Sequence, residues 1–343
     1  GRELQELFTL GKGPGSGYTE QDVKEAARVL TGYSIDLTTN TYVFYPYLHD
    51  ETNKQFSSFY GNRVITGRTG PDGEKEMDDL ISMIFEQDEV AKHIVRNIYR
   101  WFVYYVIDED IEQNVITPLA AIFRDSNYEL VPVLEALLKS EHFYDSYNMG
   151  CVIKNPLDYV LGTIKNFGVT MPSANIADQY YGLRVGNIFN YVLAMDLGDP
   201  PNVAGWEAYR SNPMYHEAWI NAVTISYRNQ LFEIMLTPNG YQYKGIRLKI
   251  EYIEFTETIA NAEDPNLLIA NLSELFFNDT LTATQVTGLK AILLSNQALD
   301  HYWTDAWLNY ITDPTNAMYK SIVNQRLYGF YRYFLSLAES QLI

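Results

Sequence analysis

The residues best placed to do chemistry are His49 and Asp50, with Lys54 four positions on. An imidazole beside a carboxylate can act as a base and its orienter, or as two ligands of a divalent metal. Lys54 would add a cation to such a site. On a strand, however, adjacent side chains point to opposite faces, so only one of the pair would reach a cleft. A plainer arrangement also satisfies the three residues: Asp50 caps a turn, His49 packs against Tyr47, and Lys54 pairs with Asp50. Glu3 and Glu6 are a second candidate pair, three apart on one helical face, where two carboxylates can share a metal or a proton. Arg2 and Lys12 stand close enough in sequence to neutralise them instead. The catalytic candidates are therefore His49, Asp50, Lys54, Glu3 and Glu6, with His49 and Asp50 the metal candidates. A divalent metal is the one cofactor the sequence leaves open.

A third group lies around Gly198-Asp-Pro-Pro-Asn-Val-Ala-Gly-Trp206. Two prolines lower the entropy lost on ordering this loop, and Gly205 permits close backbone approach. Trp206 and Trp219 would supply ring faces to a cleft, with Asn202, Asn221 and Arg228 as polar anchors. The competing arrangement is a rigid loop whose tryptophan plugs the core while Arg228 ties down carbonyls. Glu207 and Glu217 lie nearby, but nothing fixes a separation suited to glycoside hydrolysis.

Other chemistry is excluded by pattern. No two of the five histidines stand three or four apart, so there is no His-x-x-x-His zinc helix. Cys151 is the single cysteine and can form neither an intrachain disulfide nor a thiolate metal site alone. Gly15-Ser-Gly17 lacks the strand that precedes a nucleophile elbow, and the glycine-rich stretch 11–17 lacks the strand and Lys-Ser/Thr of a phosphate loop. The formal net charge of −18 argues against nucleic acid and against an anionic membrane surface. No run of 18 apolar residues exists to span a bilayer. The 28 tyrosines against 16 phenylalanines suit half-buried positions and stacking surfaces, though they are spread along the chain.

The dominant period along the chain is helical. Thr19-Glu-Gln-Asp22 reads as a capping box opening a helix with Val23, Ala26, Ala27 and Leu30 on one stripe, closed by Gly32. Further helices are expected at about 74–86, 89–106, 110–125, 129–140, 155–167, 176–196, 215–236, 246–261, 265–277, 282–294, 297–311 and 314–340. Only 41–48 and 56–60 read as strand, forming one small β-hairpin inserted near residues 41–60. The expected fold is all-α, a multi-helix bundle in one continuous domain over 1–343, with a subdivision near 237–240 as the alternative. Arg2 to Leu10 has helical spacing without a cap before it, and Gly1 reads as a residue left by tag removal. More chain is expected upstream.

Several phrases together resemble one family: Arg2-Glu-Leu-Gln-Glu-Leu-Phe-Thr-Leu-Gly11, Leu48-His-Asp50, Phe123-Arg-Asp-Ser-Asn-Tyr128, Lys154-Asn-Pro156, Pro200-Pro-Asn-Val-Ala-Gly-Trp206, Trp219-Ile-Asn221 and Arg228. They resemble the large bacterial family catalogued as domain of unknown function 1800. The resemblance implies a longer N-terminus, export to the periplasm or cell surface, and an envelope protein partner. It implies no activity. The expectation is a non-catalytic cell-envelope module that binds a glycan or a protein. The alternatives are a metal-assisted hydrolase using His49, Asp50 and a carboxylate from Glu3, Glu6 or Glu217, and a purely architectural scaffold.

Overall fold

The computed structural model describes residues 1–13, 15–201, 205–206 and 216–343. Among them are fourteen α-helices and three two-stranded antiparallel ribbons, so the helical expectation holds. The chain divides into two units, Gly1–Asp145 and Ser146–Ile343, and the turn at 237–240 lies inside the second.

The first unit opens with a π-helical turn, Leu4–Thr9. Helix α1 (Glu20–Val29) starts as its spacing predicts: the Asp22 N–H donates to Thr19 Oγ1, and the Thr19 N–H donates back to Asp22 at 2.6 Å. Strand β1 (Tyr33–Asp36) pairs with β2 (Thr41–Phe44), and β3 (Lys54–Gln55) pairs with β4 (Val64–Ile65). Then come α2 (Glu76–Phe85), α3 (Asp88–Phe102) and α4 (Glu109–Ile111), which runs through a π-helical turn, Glu112–Ile116, into α5 (Thr117–Asp125). Helix α6 (Leu130–Leu138) closes the helical set.

The single hairpin expected over 41–60 is corrected to two ribbons. Residues 41–44 pair backward with 33–36, and 54–55 pair forward with 64–65. Asn40, at φ +53°, makes the first turn. Pro46 then opens a 3-10 turn, Pro46–Leu48, and Asp50 Oδ1 takes the Thr52 N–H. The chain thus turns away before a second strand can lie beside 41–44. Helix α3 also stops four residues short of its expected end, although Val103 and Ile107 still join the core from the following turn.

The first unit has two apolar clusters. One gathers Val29, Phe56, Tyr60, Ile65, Leu80 and Met83 under the ribbons; the other joins α3, α5 and α6 through Val95, Tyr99, Phe123 and Leu137.

The second unit contains α7 (Pro156–Asn166), α8 (Ile176–Val192), α9 (Thr224–Leu236), β5 (Tyr241–Tyr243), β6 (Ile246–Leu248), α10 (Tyr252–Glu257), α11 (Pro265–Phe276), α12 (Ala283–Leu293), α13 (His301–Thr312) and α14 (Ala317–Ser336). Helix was expected from 246, but β5 and β6 form a hairpin there. Lys244 and Gly245 both have positive φ, +49° and +85°, which is the two-residue turn matched to strand twist. Ile246, Leu248 and Ile250 point inward, a period of two rather than 3.6. One core holds this unit together, centred on Val323, Leu327, Phe330, Tyr331 and Phe334 of α14, all fully buried. Tyr331 meets the Thr256 hydroxyl at 2.7 Å, so its buried polar tip is satisfied.

Candidate functional site

The sequence candidates separate into three places. The first is a buried charge cluster behind β2 and β3. Lys54 and Glu76 are both fully buried, and Lys54 Nζ lies 2.5 Å from Glu76 Oε2. Lys54 also donates to the Asp50 carbonyl. The other carboxylate oxygen, Glu76 Oε1, accepts the Arg68 N–H at 2.6 Å. His49 Nε2 stands 3.2 Å from that same oxygen but is misaligned for a hydrogen bond, so the contact is only electrostatic. On the far side of the ring, Nδ1 is 3.0 Å from the Thr31 carbonyl. The Thr31 hydroxyl also stands 3.3 Å from Nδ1.

The imidazole is closed in on every side. Phe44 packs on it with centroids 5.4 Å apart, and a Cβ on Gly73 would stand 2.6 Å from His49 Cδ2. Its side chain is 1% exposed. Tyr47 pairs with Tyr45 instead of with His49.

Asp50 faces a different partner. Its carboxylate accepts from Arg28 Nε at 2.8 Å and from the Thr52 N–H at 2.9 Å. The Arg28 guanidinium, with Thr52, holds this carboxyl well below the usual carboxylate range. Lys54 therefore meets only the backbone carbonyl of Asp50, because Arg28 has the side chain. Glu3 is exposed, and Glu6 pairs with Lys12 at 3.7 Å. Arg2 turns to Glu20, Nη1 to Oε1 at 2.8 Å. Among the described residues no three His, Cys, Asp or Glu side chains converge where they would hold a metal ion.

Arg228 anchors the second place, inside the unit Ser146–Ile343. It is fully buried, donates to the Lys154 carbonyl at 2.8 Å and to Gln341 Oε1 at 3.2 Å, and lies 4.6 Å over the Tyr159 ring. No carboxylate pairs with it among the described residues, and burial pushes its pKa down to about 10. Arg228 thus clasps the chain at 154 to the chain at 341, beside the bridge between Ile153 and Leu342. Asn221 is exposed and starts α9: its Oδ1 accepts the N–H groups of Val223 and Thr224 at 2.9 and 3.0 Å. Trp219 is buried, and Trp206 packs edge-on against it with centroids 5.2 Å apart. Asn202 and Glu207 lie outside the described residues.

The third place is an open cleft of about 490 Å³ beside Trp206. Tyr191 from the end of α8 and Tyr227 from α9 line it with exposed rings. Asp196, Asp199 and Pro201 complete the wall. Ala194, also on the lining, has φ +71°, a left-handed conformation that ends α8 where glycine is usual. This backbone turns Asp196 and Asp199 back beside Tyr191, with the Met195 N–H donating to the Asn190 carbonyl at 2.8 Å. The arrangement offers aromatic faces next to anionic acceptors. Of the sequence candidates among the described residues, only Trp206 lines it. Tyr191, Tyr227, Asp196 and Asp199 were not singled out by pattern, since four residues spread over 37 positions carry no local signature.

No helix among the described residues is long and apolar enough to cross a membrane. No curated protein and no solved structure matches the chain. The model of one family, described as a protein of unknown function (DUF1800), matches residues 1–319, so the chain belongs to that family.

Proposed function

We propose that this chain is a non-catalytic binding protein that takes a neutral glycan in the cleft beside Trp206. The observation that carries the reading is the convergence of Tyr191, Trp206 and Tyr227 with Asp196 and Asp199 on one open surface. Aromatic faces stack on the C–H faces of sugar rings, and carboxylates accept their hydroxyls. The volume lies within the usual range of ligand sites, about 300–1,000 Å³. The hydrolytic alternative draws less support, because the imidazole of His49 is enclosed and Asp50 is committed to Arg28. We extend the reading to an exported or surface protein on the strength of the resemblance, which fractionation of the natural full-length protein checks.

A panel of neutral oligosaccharides, screened by thermal shift and followed by calorimetry, tests the binding reading. At least one is expected to bind, and Tyr191→Ala or Asp199→Asn to weaken it about tenfold, equivalent to roughly 1.4 kcal/mol. Failure of the whole panel, or affinity untouched by both substitutions, would remove the proposal. A protein partner is the second reading. It is favoured by Ile176 and Leu183, which are 84% and 71% exposed on the outer face of α8 with Tyr180 and Tyr191 at helical spacing.

A further inference from the structure

A larger cavity lies elsewhere on the second unit. It is a groove of about 580 Å³ bounded by the end of α7, the end of β6 and α10. Phe167 and Phe255, with centroids 4.7 Å apart, join two of these walls and give the groove an apolar floor. Five charged side chains line it. Glu251 is already shared, pairing with Lys249 and standing 3.4 Å from Arg247. The other two are Lys165 on α7 and Glu254 on α10. Both are exposed, they carry opposite charges, and neither forms an ion pair among the described residues. The C-terminal end of α7 attracts a cation and accounts for Lys165 alone. It does not account for Arg247 and Lys249, which come from β6 and the residue after it. Three cations, a carboxylate with no ion pair among the described residues and a phenylalanine floor in one groove match a ligand that carries both charges and an apolar middle.

We propose that this groove binds a short peptide with free termini, its carboxylate held by Lys165 and Arg247 and its ammonium by Glu254. The site is separate from the aromatic cleft, and its ligand is a zwitterion rather than a neutral glycan.

Calorimetry with the dipeptide Ala-Phe tests this directly, alongside its N-acetylated and C-amidated forms. The free dipeptide is expected to bind and each blocked form to bind at least tenfold more weakly. Lys165→Met is expected to lower the affinity for the free dipeptide to that of the amidated form, and Glu254→Gln to that of the acetylated form. Both side chains are exposed, so circular dichroism should show both variants folded. Tyr191→Ala should leave dipeptide binding unchanged, which separates this site from the glycan cleft. No heat from the free dipeptide at millimolar concentration would overturn the proposal. Equal binding of all three forms would overturn it as well, and so would a loss on amidation alone, which would mean a simple anion site.

Discussion

At the residue scale the buried pair of Lys54 and Glu76 is the most demanding feature of the first unit. Two ions removed from water are tolerated only because each has its partner and further hydrogen bonds, here from the Arg68 N–H and to the Asp50 carbonyl. Removing one partner strands the other. Lys54→Met or Glu76→Gln is expected to destabilise the fold by about 3–5 kcal/mol in urea denaturation, whereas the paired change Lys54→Met with Glu76→Leu should recover much of that. Single variants as stable as wild type would show that the pair is not held as described. The carboxylate of Asp22 sets an acid limit in the same unit. Burial alone would raise its pKa. The N–H groups of Ser57 and Thr19 and their hydroxyls outweigh that and hold it below the usual range. A depressed folded-state pKa means the stabilisation is complete above the unfolded value of about 3.9 and is lost as pH falls through the folded value. Asp22→Asn should therefore flatten the acid limb of a stability-versus-pH curve below that point, and a limb as steep as before would refute the assignment. The pairing of Lys54 with Glu76 was not legible in sequence. Lys54 implies a carboxylate if it is buried, but nothing local says that the partner stands 22 positions on, and burial itself is a tertiary fact.

Elements were more legible than sites, because their signals are local. Thr19 and Asp22 announce a helix start with two reciprocal hydrogen bonds, and Asn155 before Pro156 announces another, with Asn155 Oδ1 accepting the Asp158 N–H at 3.0 Å. The misread segments were those where two periods compete. Residues 241–250 alternate inward and outward, yet they run into helical sequence from Tyr252, and the hairpin turn at Lys244 and Gly245 lacks the usual Asn-Gly. Helix α8 was expected at 176–196 but ends at Val192, because Ala194 takes the left-handed conformation there. An L-residue in that region costs about 1–2 kcal/mol that glycine avoids. Ala194→Gly should thus raise the unfolding free energy by up to about 1 kcal/mol, since glycine gives back part of the gain as unfolded-state entropy. A variant less stable than wild type would mean that the Ala194 side chain is held by packing.

The described residues form three apolar clusters, two in the first unit and one in the second. The apolar clusters of Gly1–Asp145 share no residue with the cluster of Ser146–Ile343, and each unit has the size of an ordinary domain. Residues 1–145 and 146–343 expressed separately are expected each to unfold cooperatively by calorimetry. A piece that stays unfolded alone would show that its core depends on the other. The division also separates the sequence candidates. His49, Asp50 and Lys54 belong to the first unit, where His49 is enclosed and the other two are ion-paired, and Trp206 belongs to the second, where it borders an open aromatic surface. Composition anticipated that surface only as a surplus of tyrosine, without saying which rings stay in solvent. The proposed binding belongs to the second unit rather than to the His49 cluster. Hydrogen–deuterium exchange of the whole chain, with and without the tightest oligosaccharide of the panel, reads this most directly. Slowed exchange is expected at 189–201 and 224–230 and nowhere in 1–145. Slowing confined to the segments around His49 and Glu76, or appearing there only when a divalent metal is added, would contradict the account.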